Sequence, residues 1–485
     1  MPDFGFVGAA YEAPSIYQDG QECINYYPEI DSAKRGESEK APAERGIIAL
    51  YPTPGLLLRV QLPLVAEVRG LHVDHAEQLL YAVCGNTLYE INTNYVATNV
   101  GTLSSSTGKV VMTDNGVSLY LVDGDNRYYY TRSTLTFAQL PPTDGAFVGA
   151  NHTDTIDTFI FYHDHHTDKV GATASLSVFS SALSFYTKDS FPDHIVAIAA
   201  DHRELWVIGS RTTEIWINTG SVPFPFSRIS GTSLQHGCAA MHSVARLGES
   251  LAWLSSDDRG NGVVIHMNGY QPMRISTHAI ENDLEKYTTI SDAFAYVYQQ
   301  SGHEFYVLTF PSGDKTWVYD LATKLWHRRA WRDTQNKLHR HRGNCAAFFN
   351  GENVIGDWQD GKIFSLSQTT YTDNGAVLPR IRTATHLVAD FKNVFYKDFQ
   401  IQFQPGVGLQ TGQGSDPQAI LEWSDDGGST YSLRQFASIG RVGQYKNRAI
   451  WRRLGYARDR VFRSIVTDPI YAPIISANLN ANSGS

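Results

Sequence analysis

Short runs of hydrophobic residues recur at regular intervals along the middle of the chain. Seven runs begin at Leu80, Leu119, Phe159, Leu205, Leu251, Phe305 and Val354, so successive runs start 39 to 54 residues apart. In six of the seven units a second β-rich run follows within 8 to 13 residues, and glycine, asparagine or aspartate lies between the two, as in β-hairpins. Three or four strands per unit at this period is the pattern of a β-propeller blade. The pattern predicts an all-β fold with few helices and a propeller of about seven blades over residues 61–375.

Two segments of the middle region depart from this pattern. The third unit is interrupted by a long polar stretch, residues 163–175, which breaks its hairpin. After the fifth unit, Thr277 offers a hydroxyl for a helix N-cap, and Ile280, Leu284 and Tyr287 follow at helical spacing. We expect one helix here, as a connector that packs against the propeller.

The two ends of the chain differ from the middle in pattern and in charge. Residues 1–60 carry few strand signals and a charged patch, which predicts an N-terminal arm. Residues 376–485 contain strand-like runs separated by turn residues, which predicts a separate β-sandwich-like domain. This C-terminal segment has 13 basic and 8 acidic residues, whereas the rest of the chain has 27 and 41. Because the first and last blades of a closed propeller are neighbours, we expect the arm to pack on the C-terminal domain.

The composition supports a β-rich fold and excludes several classes of protein. Hydrophobic residues make up 42% of the 485 and aromatic residues 12%, which is enough for several packed cores. The formal net charge of -9 argues against general nucleic-acid binding by a basic surface. The four cysteines are far apart and imply neither a disulfide framework nor a metal site. We expect no signal peptide, because the first residues lack a basic region, and no membrane segment, because no apolar run reaches 18 residues.

The segment from His163 to Asp168 is the densest group of potential metal ligands. It reads His-Asp-His-His-Thr-Asp, and imidazole and carboxylate groups this close together could bind zinc or nickel. Nothing nearby supplies an obvious second layer of hydrogen-bond partners for such ligands. A polar surface loop is the favoured interpretation, and we predict neither a metal site nor a cofactor.

A second polar stretch, residues 327–342, is strongly basic. It contains six lysine or arginine residues and three histidines, and it runs beside Trp326 and Trp331. Such a segment could contact phosphate groups, with the indole rings available for stacking. As a connector between two units it could equally be a solvated loop or a contact between subunits.

Residues 424–431, Ser-Asp-Asp-Gly-Gly-Ser-Thr-Tyr, resemble the Asp-box turn of sialidases and related propellers. Ser424 and Asp426 can accept backbone N–H bonds, and Gly428 permits a positive φ angle. Such a turn stabilises a hairpin and carries no catalysis. The chain also lacks a phosphate-binding loop, a dinucleotide fingerprint, a nucleophile elbow and a zinc-protease motif. We therefore predict that the protein is not an enzyme.

Motifs near both ends of the chain resemble one known family. The N-terminal flank contains Asn-Tyr-Tyr-Pro-Glu and then Leu-Tyr-Pro-Thr-Pro-Gly-Leu, and the C-terminal flank contains Trp-Ser-Asp-Asp-Gly-Gly and then Arg-Ala-Ile-Trp-Arg-Arg-Leu-Gly-Tyr-Ala-Arg. Together they resemble the tail hub, or nozzle, proteins of short-tailed bacteriophages, the packaged-DNA stabilisation family. Segments 31–45 and 163–168 have no counterpart in the family pattern. The motif residues are Asn25, Tyr27, Pro28, Glu29, Pro54, Gly55, Ser424, Asp426 and Gly428.

The resemblance implies a structural role in the virion. Proteins of this family are homohexameric rings that extend the channel of the portal and its adaptor protein, retain packaged DNA and guide its ejection. The implied partners are other copies of the chain, the portal-adaptor protein, the tail needle or plug, and tailspikes or fibres. Double-stranded DNA would pass through the channel only transiently. The implied location is the phage tail, after synthesis in the host cytoplasm.

A basic run in the C-terminal domain is the candidate assembly surface. Residues 434–463 contain nine arginines or lysines and one acid, Asp459. This run could face DNA or an acidic neighbour, and we favour the neighbour, because a cationic channel would grip phosphate and slow ejection. Arg452 and Arg453 lie between Trp451 and Leu454, which suggests a strand with one arginine on each face, so at most one of the pair would meet a given partner. The proposed interface residues are Arg441, Lys446, Arg448, Arg452, Arg453 and Arg458.

A rival hypothesis from a different class is a sialidase-like or glycan-binding propeller. Such a site needs three arginines and several carboxylates that converge on the propeller axis. In this sequence, arginines are scarce within the predicted blades and concentrate at 328–342 and 434–463. The sequence therefore favours the structural role.

Overall fold

A computed structural model of the chain describes residues 5–30, 47–164, 166–191, 193–256, 260, 262–390 and 392–483. Seven groups of four antiparallel strands form the blades of a propeller: five are separate four-stranded sheets, and two are parts of larger sheets. The innermost strands of neighbouring blades contact each other, and the innermost strand of the last blade contacts that of the first. The predicted all-β fold with a seven-bladed propeller is therefore confirmed.

The first four blades are formed by consecutive strands. Their bounds are Val68–Asp74, Leu79–Cys84, Thr87–Ile91 and Ala97–Thr102 in blade 1; Val111–Asp114, Leu119–Val122, Arg127–Thr131 and Thr136–Gln139 in blade 2; His152–Ile156, Phe159–His163, Lys169–Ala172 and Phe185–Thr187 in blade 3; and Ile195–Asp201, Glu204–Gly209, Thr213–Asn218 and Phe226–Arg228 in blade 4. Blade 3 is complete, although the polar stretch 163–175 predicts an interruption. Its third strand begins within that stretch, where three residues of Lys169–Ala172 are buried.

The last three blades follow the same pattern, but blade 7 is closed by a distant strand. The strands are Ala245–Leu247, Ser250–Ser256, Gly262–Asn268 and Gln271–Arg274 in blade 5; Phe294–Gln300, His303–Phe310, Lys315–Asp320 and Leu325–Arg332 in blade 6; and Gly343–Phe349, Glu352–Asp357 and Lys362–Ser367 in blade 7, with Gly55–Gln61 as the outermost strand. Gly55–Gln61 pairs antiparallel with Lys362–Ser367. Residues 55–60 are thus part of the propeller, whereas the sequence pattern assigns them to the N-terminal arm.

The hydrophobic runs that mark the repeat belong to the second strand of each blade. In blade 1 this strand, Leu79–Cys84, is buried along its whole length, and Leu119–Val122 in blade 2 is buried likewise. Both faces of such a strand pack against the neighbouring blades. A strand covered on both sides has no polar face, so it is a continuous hydrophobic run without alternation.

One α-helix of seven residues, His278–Leu284, connects blades 5 and 6. The hydroxyl of Thr277 accepts a hydrogen bond from the N–H of Ile280, as expected for an N-cap. Ile280 and Leu284 are buried against the propeller. In the part of the chain that the structure describes, no helix has the length and apolar character needed to cross a membrane.

The C-terminal domain is a sandwich of two sheets, and the N-terminal arm supplies strands to one of them. One sheet contains Arg380–Thr383, Asp459–Val466, Gln418–Ser424 and Gln435–Ser438, with Leu387–Val388 at its side. The other contains Tyr26–Ile30, Ile47–Pro52, Ile474–Ser483, Val394–Phe403 and Ala449–Arg452, with Tyr456–Ala457 at its side. Ile47–Pro52 pairs with Ile474–Ser483 through Leu50 and Ile474. The arm and the C-terminal domain therefore share one sheet.

A short strand of the arm also joins the sandwich to the propeller. Cys23–Ile24 pairs parallel with Leu325–Arg332, the outer strand of blade 6, and antiparallel with Arg380–Thr383. Blade 6 and the first sandwich sheet thereby form one continuous sheet. Shorter elements complete the described structure: the strands Tyr11–Glu12, Gly20–Gln21, Leu338–Arg340, Thr372–Asp373 and Ala376–Val377 and the 3-10 helix Arg132–Thr134.

Candidate functional site

The N-terminal motif residues lie at the junction between blade 6 and the sandwich. Asn25 is completely buried, and its backbone has a φ angle of 56°, a conformation that asparagine tolerates better than most residues. Its side-chain amide donates to the carbonyl oxygens of Ala330 at 2.9 Å and Pro379 at 2.7 Å, and its side-chain oxygen accepts from the N–H of Ala330 at 3.0 Å. One side chain thus ties the outer strand of blade 6 to the segment that leads into the sandwich.

Tyr27 and Glu29, which lie in the strand Tyr26–Ile30, contact the same junction. The Tyr27 ring packs edge-on against Phe305 and His303 of blade 6. The Nε2 atom of His303 lies 3.0 Å from a carboxylate oxygen of Glu29, and its Nδ1 atom lies 2.8 Å from Asp320. Burial alone would lower the pKa of His303, but the hydrogen bonds to the two carboxylates together raise it above its ordinary value. The imidazole of His303 therefore bridges the arm and the propeller.

The remaining N-terminal motif residues position the strand that closes blade 7. Pro28 lies in the strand Tyr26–Ile30, opposite Leu50. The carbonyl oxygen of Pro54 accepts a hydrogen bond of 2.8 Å from the buried guanidinium of Arg329. Gly55 begins the closing strand, and its N–H donates to the carbonyl oxygen of Thr370. This motif therefore guides the chain from the sandwich into the last blade.

Three arginines at the junction are buried, and the sequence analysis does not predict their burial. Arg329, Arg380 and Arg382 are almost fully buried. The guanidinium of Arg382 donates to the carbonyl oxygens of Phe6, Ala9 and Glu22, so it binds the start of the arm to the first sandwich sheet. Sequence alone carries no signal for this role, because arginine is usually exposed and its acceptors lie more than 350 positions away.

The Asp-box turn lies at the far end of the strand Gln418–Ser424. The hydroxyl of Ser424 donates to Asp426 at 2.6 Å and accepts the N–H of Gly428 at 2.7 Å. Asp426 accepts both the N–H and the hydroxyl of Thr430, and hydrogen bonds from Ser424 and Thr430 lower the pKa of Asp426 to about 2. Gly428 has a φ angle of 97°. Every one of these bonds is internal to the turn, as expected for a structural hairpin.

The six proposed interface residues are all exposed on the sandwich. Arg441 contacts Asp416 at 2.7 Å, whereas the other five make no ion pair among the described residues. Exposed aromatic side chains lie in the same part of the chain, since Phe436, Tyr445 and Tyr456 are 61%, 70% and 62% exposed. The members of this basic strip, as we call it hereafter, are Arg441, Lys446, Arg448, Arg452, Arg453 and Arg458.

The expected strand with one arginine on each face is wrong. The strand Ala449–Arg452 ends at Arg452, and Arg453 adopts a φ angle of 58° in the turn that follows. Because the chain leaves the extended conformation there, the alternation of side chains stops. Both arginines are consequently exposed.

The histidine-rich segment is only partly the surface loop that its composition predicts. His163 is the last residue of the strand Phe159–His163 and is completely buried, with its ring nitrogens 3.0 Å from the carbonyl oxygens of Lys169 and Ile195. His166 is exposed, and His165 lies outside the described residues. Among the residues that the structure describes, no group of three metal-ligating side chains is close enough to hold an ion.

We expect substitutions in this segment to separate a structural residue from a surface residue. His163→Ser removes a buried imidazole whose ring nitrogens contact two backbone carbonyl oxygens and is expected to lower the free energy of unfolding by about 1 to 3 kcal/mol. His166→Ser is expected to change it by less than about 0.5 kcal/mol. Thermal denaturation of the two variants measures the difference, and equal stabilities would contradict the assignment of His163 to the core.

The basic stretch 327–342 is not a solvated loop. Its first part is the outer strand of blade 6, where His327 and Arg329 are buried. Burial lowers the pKa of His327 to about 3, so this imidazole is neutral near pH 7. Trp326 is buried as well, and its indole N–H donates to the carbonyl oxygen of Ile275. These groups are therefore unavailable for phosphate.

Comparisons with known proteins agree with this architecture. Two family models match the chain: one described as bacteriophage P22 Gp10, beta-propeller, over residues 43–371, and one described as bacteriophage P22 Gp10, beta-sandwich, over residues 380–482. A search of curated proteins finds no match. Together the two models cover both domains, and the propeller model alone covers more than half of the chain.

Solved structures with a similar fold include propellers of unrelated sequence. The WD40 domain of Neurospora crassa Pan2 is 7% identical, with a TM-score of 0.42, 66% of this chain covered and 96% of that one. The extracellular domain of a one-component system from B. thetaiotaomicron is 10% identical, with a TM-score of 0.44, 81% of this chain covered and 48% of that one. Similarity at this level carries no information about function.

Proposed function

Since the chain belongs to the bacteriophage P22 Gp10 family, phage tail proteins that stabilise packaged DNA, we propose that it is a homohexameric tail hub. In this proposal the ring extends the channel of the portal and its adaptor protein, retains the packaged genome and guides its ejection into the host. It also carries the tail needle or plug and the tailspikes or fibres. The match of both domains to that family is the observation that carries the proposal.

The way in which the domains are joined supports a role as a rigid part of a channel wall. The arm contributes strands to the sandwich and the outermost strand to blade 7, and its strand Cys23–Ile24 joins blade 6 to the sandwich. Separation of the two domains would break backbone pairing on both sides of the arm. A subunit built in this way transmits force without a hinge, as a channel under the pressure of packaged DNA requires.

The basic strip is the proposed contact to a neighbouring subunit or to the adaptor. A ring has head-to-tail interfaces, which join two different patches and therefore suit opposite charges. Residues before 376 have a surplus of acids, 41 against 27 bases, so an acidic surface is available on the adjacent copy. Exposed arginine and aromatic side chains, as in this strip, are the residue types enriched in protein interfaces.

We expect charge reversal in the strip to impair assembly without affecting folding. The double variant Arg452→Glu, Arg453→Glu should weaken ring formation or adaptor binding at least about tenfold at low salt, because two attractions become repulsions. The double variant Lys286→Glu, Lys324→Glu, which reverses two exposed lysines outside the strip, is the matched control with the same change in charge and should assemble normally. Sedimentation at low and high salt measures assembly, and circular dichroism checks the fold.

The same variant distinguishes the two uses of the strip. Normal assembly combined with altered retention or ejection of DNA would place the strip in the channel and contradict the interface. Electron microscopy of the wild-type protein with its adaptor tests the wider proposal, since a ring with another symmetry, or a monomer, would refute the hexameric hub.

The glycan-binding alternative gains no support from the propeller axis. The described innermost strands carry two arginines, Arg69 and Arg246, which lie in blades 1 and 5. The guanidinium of Arg69 is occupied by the carbonyl oxygens of Gly85, Ser105, Thr107 and Gly108. These strands therefore do not supply the three converging arginines of a sialidase-like site.

A further inference from the structure

A cavity of about 220 Å³ lies where the innermost strands of six blades converge. Blades 1, 2, 3, 5, 6 and 7 contribute to its wall, so it lies on the axis of the propeller. Apolar side chains, among them Leu71, Val111 and Val244, form part of the lining.

The distinctive polar group of this cavity is the ammonium of Lys109. Its Nζ atom donates to the side-chain oxygen of Asn344 at 2.7 Å and to the backbone oxygen of the same residue, and it lies 3.5 Å from the centre of the Phe294 ring. Burial lowers its pKa to about 8, so the amine is mostly protonated at pH 7. Among the described residues, no carboxylate lies within ion-pair distance of it.

The surroundings hold Lys109 in place. The Arg69 guanidinium binds the loop that precedes Lys109 through Ser105, Thr107 and Gly108. The amide of Asn344 donates to Glu67 at 2.7 Å and to the carbonyl oxygen of Val68 at 2.9 Å, which turns its oxygen toward Lys109. The ammonium is thus positioned by a rigid set of bonds.

A second cation adds to the positive charge beside the cavity. The guanidinium of Arg340 stacks over Trp358 at 4.3 Å and lies 5.9 Å from the Phe294 ring, and its charge further lowers the pKa of Lys109. His152 adds no charge at pH 7, because burial lowers its pKa to about 4. The carboxylate of Glu67 contacts the Asn344 amide, and its charge acts on both cations, while Asp292, Asp314 and Asp357 also act on Arg340. Among the described residues, however, no carboxylate forms an ion pair with the ammonium of Lys109.

From this geometry we infer that the axial cavity is a binding site for a small oxyanion, a phosphate or a carboxylate, which the ammonium of Lys109 holds. A partly buried cation without a counter-ion is unfavourable, and an anion in the adjoining cavity would remove that cost. The apolar wall leaves room for a small organic group attached to the anion. The inference is independent of the proposed role as a tail hub.

Calorimetric titration of the full chain with inorganic phosphate, and separately with malonate, tests the site and distinguishes the two kinds of anion. We expect at least one probe to bind with one-to-one stoichiometry, and Lys109→Met to weaken it at least about tenfold, the equivalent of about 1.4 kcal/mol. Lys324→Met, which removes an exposed lysine from blade 6, should bind as the wild type does.

A second measurement on the wild-type protein avoids any folding defect of the Lys109 variant. The bound anion should protect Lys109 from acylation by an amine reagent, while Lys324 should react at the same rate with and without it. Mass spectrometry of the labelled peptides reports both rates. Absence of protection by either probe, or affinity unchanged by Lys109→Met, would overturn the inference.

Discussion

Replacing Asn25 with alanine is expected to lower the free energy of unfolding by about 3 to 5 kcal/mol. The substitution deletes three hydrogen bonds, two to Ala330 and one to Pro379. The backbone partners stay buried without a replacement, and each such group costs about 1 to 3 kcal/mol. Alanine also tolerates the φ angle of 56° less well than asparagine does. The effect should exceed that of an ordinary surface substitution several-fold.

A matched variant isolates the hydrogen bonds of Asn25 from the backbone effect. Asn336 also has a positive φ angle, 67°, but its side chain is exposed. Asn336→Ala should therefore lower the free energy of unfolding by only about 1 kcal/mol or less. It loses the tolerance of asparagine for a positive φ angle but no buried hydrogen bond. Chemical denaturation, followed by both circular dichroism and tryptophan fluorescence, measures the two changes. Similar losses in both variants would show that the junction does not depend on the Asn25 amide.

The second large effect is expected at Gly55, where the propeller closes. An added Cβ atom would lie 2.3 Å from the backbone oxygen of Thr370 and 2.6 Å from that of Thr372, both far below contact distance. Both oxygens belong to the segment that holds the start of the closing strand, since Thr370 accepts the N–H of Gly55 and the strand Thr372–Asp373 pairs with Leu56. A shift that relieved the clash would disturb these contacts. Gly55→Ala should therefore cost about 2 to 4 kcal/mol, at the upper end of the range for overpacking.

Hydrogen exchange shows where the Gly55 variant loses stability. Amides of the closing strand and of Lys362–Ser367 should exchange faster, whereas those of blades 2 to 4 should be less affected. Gly20 is the matched control, since a Cβ atom there would make only ordinary contacts, the nearest at 3.7 Å from Ile16. Gly20→Ala should leave stability within about 0.5 kcal/mol. A Gly55 variant as stable as this control would mean that the strand can shift without cost.

Both expectations concern the strands by which the N-terminal segment joins the propeller and the sandwich. A propeller is a ring of sheets in which the last blade must be attached to the first, and here the arm supplies that attachment through Gly55–Gln61. The same arm completes a sheet of the sandwich. Damage at Asn25 or at Gly55 should therefore weaken both domains, because neither has its full set of strands without the arm.

The repeat and the type of each domain could be predicted from the sequence. The hydrophobic runs that start at Leu80, Leu119 and the five later positions mark strands that are buried between blades, and burial on both faces leaves a local signature. The helix near Ile280 was also predictable, because its cap and its apolar spacing are local. Exposure of the basic strip follows from the usual preference of arginine and lysine for solvent.

Ring closure already predicts that the arm lies near the C-terminal domain, whereas only the tertiary structure decided which strands of the two flanks pair. The sequence places residues 55–60 in an arm because the partner strand, Lys362–Ser367, lies about 300 positions away and leaves no local signal. His163, His327, Arg329 and Arg382 look like surface residues, yet the folded chain buries them. The Arg329 and Arg382 guanidinium groups donate to backbone carbonyl oxygens of the arm, Pro54 for Arg329 and Phe6 for Arg382, which lie hundreds of positions away and leave no local signal. The sequence by itself determined which segments become strands, since that depends on neighbouring residues, whereas the pairing of the ends depends on contacts that exist only in the folded chain.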